Sequence, residues 1–259
     1  MTGLTATAGR AVQDRLPAIL AVVALIVAWE AIVRVNRIPV GIVPSPSQVA
    51  GSLVEDRALF AANIATTVTE IGLGFAIGLG VGIALAIGIH YSRVLARTVE
   101  PLVLASQAVP IFAFAPLLII WLGFGIEPKV VVVALGVFFP VTVNMTVGLR
   151  EVDPGIIALM RTFPAGEGQT LRYVRLPNSL PYLVPAAQVG MTYAVIGAVI
   201  SEWIGAESGI GRVMISANSV ARTDQLFAAM AIVTVVALVL VGLVGSVGRR
   251  LTRWQRVGR

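Results

Sequence analysis

Residues 153–177 read Asp-Pro-Gly-Ile-Ile-Ala-Leu-Met-Arg-Thr-Phe-Pro-Ala-Gly-Glu-Gly-Gln-Thr-Leu-Arg-Tyr-Val-Arg-Leu-Pro, a polar insert in an otherwise oily chain. Asp153-Pro154 has the form of a helix start, Pro164 interrupts the helical pattern, and Leu176-Pro177 has the form of a stop, so the spacing predicts two short helices. The insert is too charged to enter lipid and too regularly patterned to be a loose linker. A device of this kind docks on something.

Around it, 57% of the 259 residues are apolar and 12% charged, a balance outside the range of soluble domains. Six stretches are long enough to cross a hydrocarbon core of about 30 Å: 17–35, 63–89, 98–122, 129–149, 181–204 and 226–247. The expected fold is therefore all-α, a polytopic membrane protein of six transmembrane helices with the insert, about 150–180, as a cytoplasmic loop. The connections are too short for a second globular domain, so residues 1–259 read as one. Lys and Arg fall 13 on one set of flanks, including both termini and the insert, and 6 on the other. Cytoplasmic flanks hold the excess, which puts both termini and the insert in the cytoplasm. The net charge of +6 is thus topological, and no nucleic-acid partner is expected. The Arg-rich tail from Arg249 suits anionic lipid headgroups.

Several chemistries drop out. The chain has no cysteine and one histidine, His90, so neither a thiol site nor a histidine-based metal site can be assembled. Lys129 is the sole lysine and stands after Glu127-Pro128 rather than a glycine, so there is no standard P-loop for ATP. Gly74, Gly78 and Gly82 lie inside an apolar stretch at four-residue spacing. They read as a small-residue face that lets another helix approach closely.

Polar groups inside spans need partners or a water-filled path. Glu30 stands four residues before Arg34, the spacing of a helical ion pair. Glu70, among Thr66, Thr67 and Thr69, is a candidate either for an interhelical bond or for a path. Gln107 and Asn144 carry amides that lose hydrogen bonds in lipid, and both are candidates for helix contact or path lining. Pro101, Pro110 and Pro116 break the third stretch near Phe112, which suits a bend or gate. Tyr193 and Glu202 lie along the fifth stretch, with Glu202 expected either to line the outer mouth or to pair with Arg212. Ser45-Pro46 starts a short outer helix, and 208–220 has similar helical spacing; both serve as lids or connectors.

The insert resembles the cytoplasmic coupling loop of ABC-importer permeases, written EAA, three residues, G, nine residues, I, one residue, LP. Ala158-Leu159-Met160 fall at the EAA, Pro164 at the glycine, Val174 at the isoleucine and Leu176-Pro177 at the LP, with Gly166 and Glu167 inside the loop. Ala158 replaces the family's glutamate, and Pro164 its glycine. The likeness extends from Val43-Pro44-Ser45-Pro46 through Ala115-Pro116-Leu117 and Trp121-Leu122-Gly123-Phe124-Gly125 to Ser208-Gly209-Ile210-Gly211 and Thr223-Asp224. These strings are similar to permeases of nitrate, sulfonate and taurine importers and to relatives for thiamine-pyrimidine precursors or riboflavin. The resemblance implies a bacterial inner-membrane subunit that works as a homodimer, with two cytoplasmic ABC ATPases and an extracytoplasmic substrate-binding protein. It also implies that ATP and Mg bind the partner subunit and that this chain binds no cofactor and is not itself an enzyme. An ATPase-independent transporter or channel is the alternative class, and it would call for charged relays.

Overall fold

The computed structural model describes residues 3–163 and 166–256, and among them there is no strand. In chain order the helices are α1 (Gly3–Val35), α2 (Pro46–Glu55), α3 (Arg57–Tyr91), α4 (Arg93–Ser106), α5 (Ala115–Leu122), α6 (Glu127–Arg150), α7 (Pro154–Thr162), α8 (Glu167–Gly205), α9 (Ile210–Ser219) and α10 (Thr223–Leu251). Five of them, α1, α3, α6, α8 and α10, are long and apolar enough to cross a membrane.

The stretch 98–122, expected as one continuous span, is instead two helices joined by a tight 3-10 turn at Ile111–Phe114. Proline chemistry accounts for the break. Pro110 has no N–H to give and pushes Val109 away from helical angles, so α4 ends at Ser106, and Pro116 in the first turn of α5 suits a restart. At 14 and 8 residues, α4 and α5 reach about 21 and 12 Å, each short of a bilayer core.

The insert also departs from expectation. α7 forms as anticipated, with Asp153 Oδ1 accepting the Gly155 N–H at 2.6 Å. The second segment does not stop at Leu176-Pro177; it passes through a widened π-turn at Leu171–Arg175 and continues to Gly205. In that turn the Leu176 N–H reaches back five residues to the Leu171 carbonyl. The wider turn relieves the clash that Pro177 imposes on an α-helical carbonyl, so the proline is absorbed rather than terminating the helix. Pro164 lies outside the described residues.

The chain forms two compact units. In the first, made of residues up to Phe60 with Met214–Met230, Glu30 pairs with Arg34 as its spacing predicts and also accepts the Ser47 N–H at 3.0 Å and hydroxyl at 2.8 Å. Helix α2 starts on a capping box between Ser45 and Gln48. Arg222 reaches Asp56 at 2.8 Å and Asp224 at 3.3 Å.

The second unit, Ala61–Val213 with the chain from Ala231 on, is built around α3, α6 and α8. In lipid, close van der Waals packing rather than expulsion of water holds helices together, so small residues matter. Gly74, Gly78 and Gly82 give α3 such a face. A Cβ on Gly74 would lie 2.9 Å from the Val130 carbonyl oxygen, one on Gly78 2.8 Å from the Val137 Cβ, and one on Gly82 2.8 Å from the Val141 Cγ1. Helix α6 is also approached closely by α8: Gly148 meets Ser179, and Gly190 of α8 meets Val137. Ile71, Val133, Val137, Val141, Met191, Ala194, Val195 and Ala198 fill the shared core.

Candidate functional site

The end of α4, the 3-10 turn, α6 and α8 line an open-sided cavity of about 500 Å³. Three of the polar residues singled out in the sequence line it together: Gln107 at the end of α4, Asn144 on α6 and Tyr193 on α8. Its other walls are apolar, among them Ile111, Phe139, Val143, Val189 and Ile196, and no lining residue carries a charge. The Asn144 amide donates to the Pro140 carbonyl oxygen at 2.8 Å, which leaves its own side-chain oxygen as an acceptor. Pro140 in turn has no N–H to offer the Gly136 carbonyl one turn earlier, and both residues face the cavity. A proline inside a span is the sequence signal for this opening, one that the polar candidates alone do not capture. The side chain of Phe112, in the adjoining turn, lies outside the described residues.

Glu70 and Glu202 do not line this space. Both are fully buried within the helix bundle. Glu70 Oε1 accepts the Lys129 ammonium at 2.8 Å, tying α3 to α6. Glu202, expected at the outer mouth or on Arg212, instead accepts the Thr67 hydroxyl at 2.6 Å and the Gly211 N–H at 2.6 Å. Beside it, Asn63 accepts the Gly209 N–H at 2.7 Å and Thr67 the Ile210 N–H at 2.9 Å. Three successive backbone donors at the start of α9 are thereby held by side chains of α3 and α8. These are the orphan donors that every helix start leaves unpaired. Gly209 sits at φ +115°, and a Cβ there would run into the Glu202 carboxylate, so the turn requires glycine. By its place in the sequence Lys129 is only an outer-flank charge. Its burial beside Glu70 depends on helix pairing, which one helix's sequence does not reveal.

The insert is tied down at its base. Asn178 donates to the carbonyls of Gly148 at 3.1 Å and Glu151 at 2.8 Å, and Arg175 to that of Leu149 at 2.9 Å, so side chains from within α8 cap the end of α6. Arg150 meets Glu100 of α4 in a two-bonded pair at 2.8 and 2.7 Å. Above this base α7 is exposed. Ile156, Leu159 and Phe163, at three- and four-residue spacing, show an apolar stripe to the outside, with Leu159 56% exposed and Ala158 beside it. Gly166 and Glu167 are exposed as well, whereas Met160, Val174 and Pro177 are half-buried. Leu176 turns inward against the cluster of Ala86, Met145 and Leu149. The loop residues therefore divide between an exposed tip and an anchored stem.

Residues 77–257 match the family described as binding-protein-dependent transport system inner membrane component. The chain is 36% identical over 234 residues to the riboflavin transport system permease protein of Chloroflexus aurantiacus, covering 89% of this chain and 87% of that protein. It is 35% identical over 215 residues to a probable ABC transporter permease protein of Haemophilus influenzae, covering 83% and 88%. Among solved structures, the MetNI methionine ABC transporter in an inward-facing conformation superposes with a TM-score of 0.55 at 26% identity, over 73% of this chain and 90% of that one. The chain belongs to this family: it is a multi-pass, inner-membrane permease subunit of an ATP-binding-cassette importer.

Proposed function

We propose that two copies of this chain form the translocation path of the importer, with the cavity at Gln107, Asn144 and Tyr193 as the part of the path each copy supplies. A substrate-binding protein delivers solute from outside, and two ATPase subunits, which hold ATP and Mg, drive the cycle from the cytoplasm. The reading rests on one observation, the gathering of three lipid-averse side chains from separate elements onto a single open-sided cavity, where they stand exposed. Pairing with a second copy supplies the remaining wall. The broken α4–α5 segment serves as the sixth crossing, in two pieces flanking that cavity, and the excess of Arg on the insert and both termini orients them to the cytoplasm. Nucleotide binding favours one of two bundle states, and the solute is passed inward as the populations shift.

Filling the cavity tests this directly. With the ATPase and binding protein reconstituted in vesicles, Asn144→Phe is expected to cut solute uptake at least about tenfold while the assembled complex survives, since an added ring occupies space without disturbing the buried core. Normal uptake by an intact Asn144→Phe complex would remove this cavity from the path.

Coupling runs through the insert. The exposed Ile156, Leu159 and Phe163 stripe is the contact offered to a groove on the ATPase, and α8 joins it to the far end of the span, from Glu167 to Gly205, at most about 58 Å at 1.5 Å per residue. Leu159→Asp puts a charge into that contact and is expected to abolish capture of the purified ATPase by inside-out vesicles. Right-side-out vesicles should capture none in either form. Equal capture by the variant, or capture on the other face, contradicts the dock or the orientation respectively.

A further inference from the structure

We infer that the end of α1 away from the amino terminus holds the phosphate of an anionic phospholipid, in a shallow pocket framed by Arg34, Arg37, Ser45, Ser47 and Gln48. This site is separate from the translocation path and does not depend on it. The pocket measures about 340 Å³ and is open to one side, with Val33 and Ile38 as its apolar wall. It lies where the apolar stretch Leu16–Val35 ends, at the depth where lipid headgroups meet water.

Charge and donors both point to an oxyanion. Arg34 and Arg37 stand against one carboxylate, that of Glu30, so two cations less one anion leave an excess of one positive charge. The Glu30 oxygens are occupied: Oε1 accepts from Arg34 Nε and from the Ser47 hydroxyl, and Oε2 accepts the Ser47 N–H at 3.0 Å. Arg34 also donates to the Ser47 hydroxyl oxygen at 3.1 Å, so of the five N–H donors of a guanidinium two are used and three remain. The Gln48 side-chain oxygen accepts the Ser45 N–H at 2.7 Å, which leaves its amide group to donate. The helix end itself is not the site, because the first backbone donors of α2 are already taken by Ser45 and Glu30.

Arg37 supplies an independent sign. It stands at φ +50°, just past the end of α1, where the Ile38 N–H closes back onto the Val33 carbonyl at 3.1 Å. That left-handed position suits glycine or asparagine, and a side chain such as arginine is strained there. Among the described residues the exposed Arg37 side chain has no hydrogen-bond or ion-pair partner. An arginine held at a strained cap with all its donors free is placed for a ligand from outside the chain. The rest of α1 says which kind. Leu20, Leu25, Ile32 and Val35 are each more than half exposed along it. A phospholipid can lay its acyl chains on this helix while the planar guanidinium forks grip its phosphate oxygens in pairs; a free phosphate gains only the second contact.

The assembled transporter, purified in detergent, is titrated with phosphatidylglycerol or phosphatidylcholine, and the lipid retained is counted by native mass spectrometry. Phosphatidylglycerol should bind in preference, since the choline ammonium would sit beside two arginines. Arg37→Gly removes the side chain and relieves the backbone, so lipid-free protein should melt at the same temperature or higher while its affinity for phosphatidylglycerol falls at least about tenfold. Arg37→Gln, which keeps the backbone strain and loses only the charge, should lose affinity as well. Arg57→Gln, which removes a cation elsewhere on the same flanks, should leave affinity within about twofold of the parent. Inorganic phosphate in large excess should not displace the lipid. Undiminished lipid retention by Arg37→Gly, or an equal fall in Arg57→Gln, would overturn the site, and displacement by inorganic phosphate would reassign it to the free ion. Loss of substrate-binding-protein capture in Arg37→Gly, with lipid retention unchanged, would overturn it in favour of a protein contact.

Discussion

Replacing Lys129 by methionine is expected to destabilise the bundle by about 3–5 kcal/mol, because it leaves a buried carboxylate without its cation. The side chain of Glu70 is wholly buried and that of Lys129 is 9% exposed, so water cannot take over the role. Glu70 and Glu202 also interact across the α3–α8 contact, so losing the ammonium leaves two acidic groups facing each other. The pair itself need not be a net source of stability, since desolvating both ions offsets their attraction. Removing both charges together should therefore cost far less than removing one. Thermal unfolding of purified protein in detergent reads the difference: Lys129→Met should unfold at a markedly lower temperature, and Glu70→Gln with Lys129→Met should recover most of the loss. Equal melting of Lys129→Met and parent would mean that the carboxylate finds another partner.

Gly78→Leu should be nearly as damaging, and Gly80→Leu close to harmless. The two substitutions sit two residues apart on one helix, and the intrinsic cost or gain of replacing a helical glycine is shared. They differ in what the new side chain meets. At Gly78 even the Cβ would collide with the Ala134 carbonyl and lie 2.8 Å from Val137, whereas at Gly80 nothing stands within 4 Å. Since backbone cannot swing aside as a side chain can, α3 and α6 would have to separate, at a cost on the order of 1–3 kcal/mol or more. The yield of folded protein after detergent extraction and its melting temperature both report the effect. Similar values for the two variants would show that the glycine face does not set the helix spacing.

Hydropathy makes four of the long helices legible to within a few residues at most ends, because a membrane span is defined by length and oil content alone. The fifth stretch is legible as a span, but its beginning is not, because a π-turn that accommodates Pro177 leaves no mark in composition. The break at 107–114 is visible as Pro101, Pro110 and Pro116, yet whether prolines bend a helix or divide it depends on neighbours that replace the lost hydrogen bonds. The glycine face is legible because four-residue spacing fixes a direction on the helix. The partner of Glu70 is not, because it sits 59 residues away on another helix. Glu202 misleads for a related reason: its place near the end of a span suggests water, while the chain beyond it folds back and covers the carboxylate with Gly209 and Gly211. Gln107, Asn144 and Tyr193 can each be suspected singly, but only the packing of three elements brings them to one cavity.

The separation of Glu70 and Lys129 along the chain also has a meaning for biogenesis. A ribosome adding about 5–20 residues per second needs roughly 3–12 s to make the lysine after the glutamate. Over that interval α3 carries a carboxylate whose cation does not yet exist. A single charge near the middle of a span costs about 2.5–3.5 kcal/mol on insertion, enough to hold α3 at the protein-lined exit of the insertion machinery until α6 emerges. Release into the bilayer then becomes an event for two helices at once, and the order in which the chain is made helps to determine which helix α3 meets first.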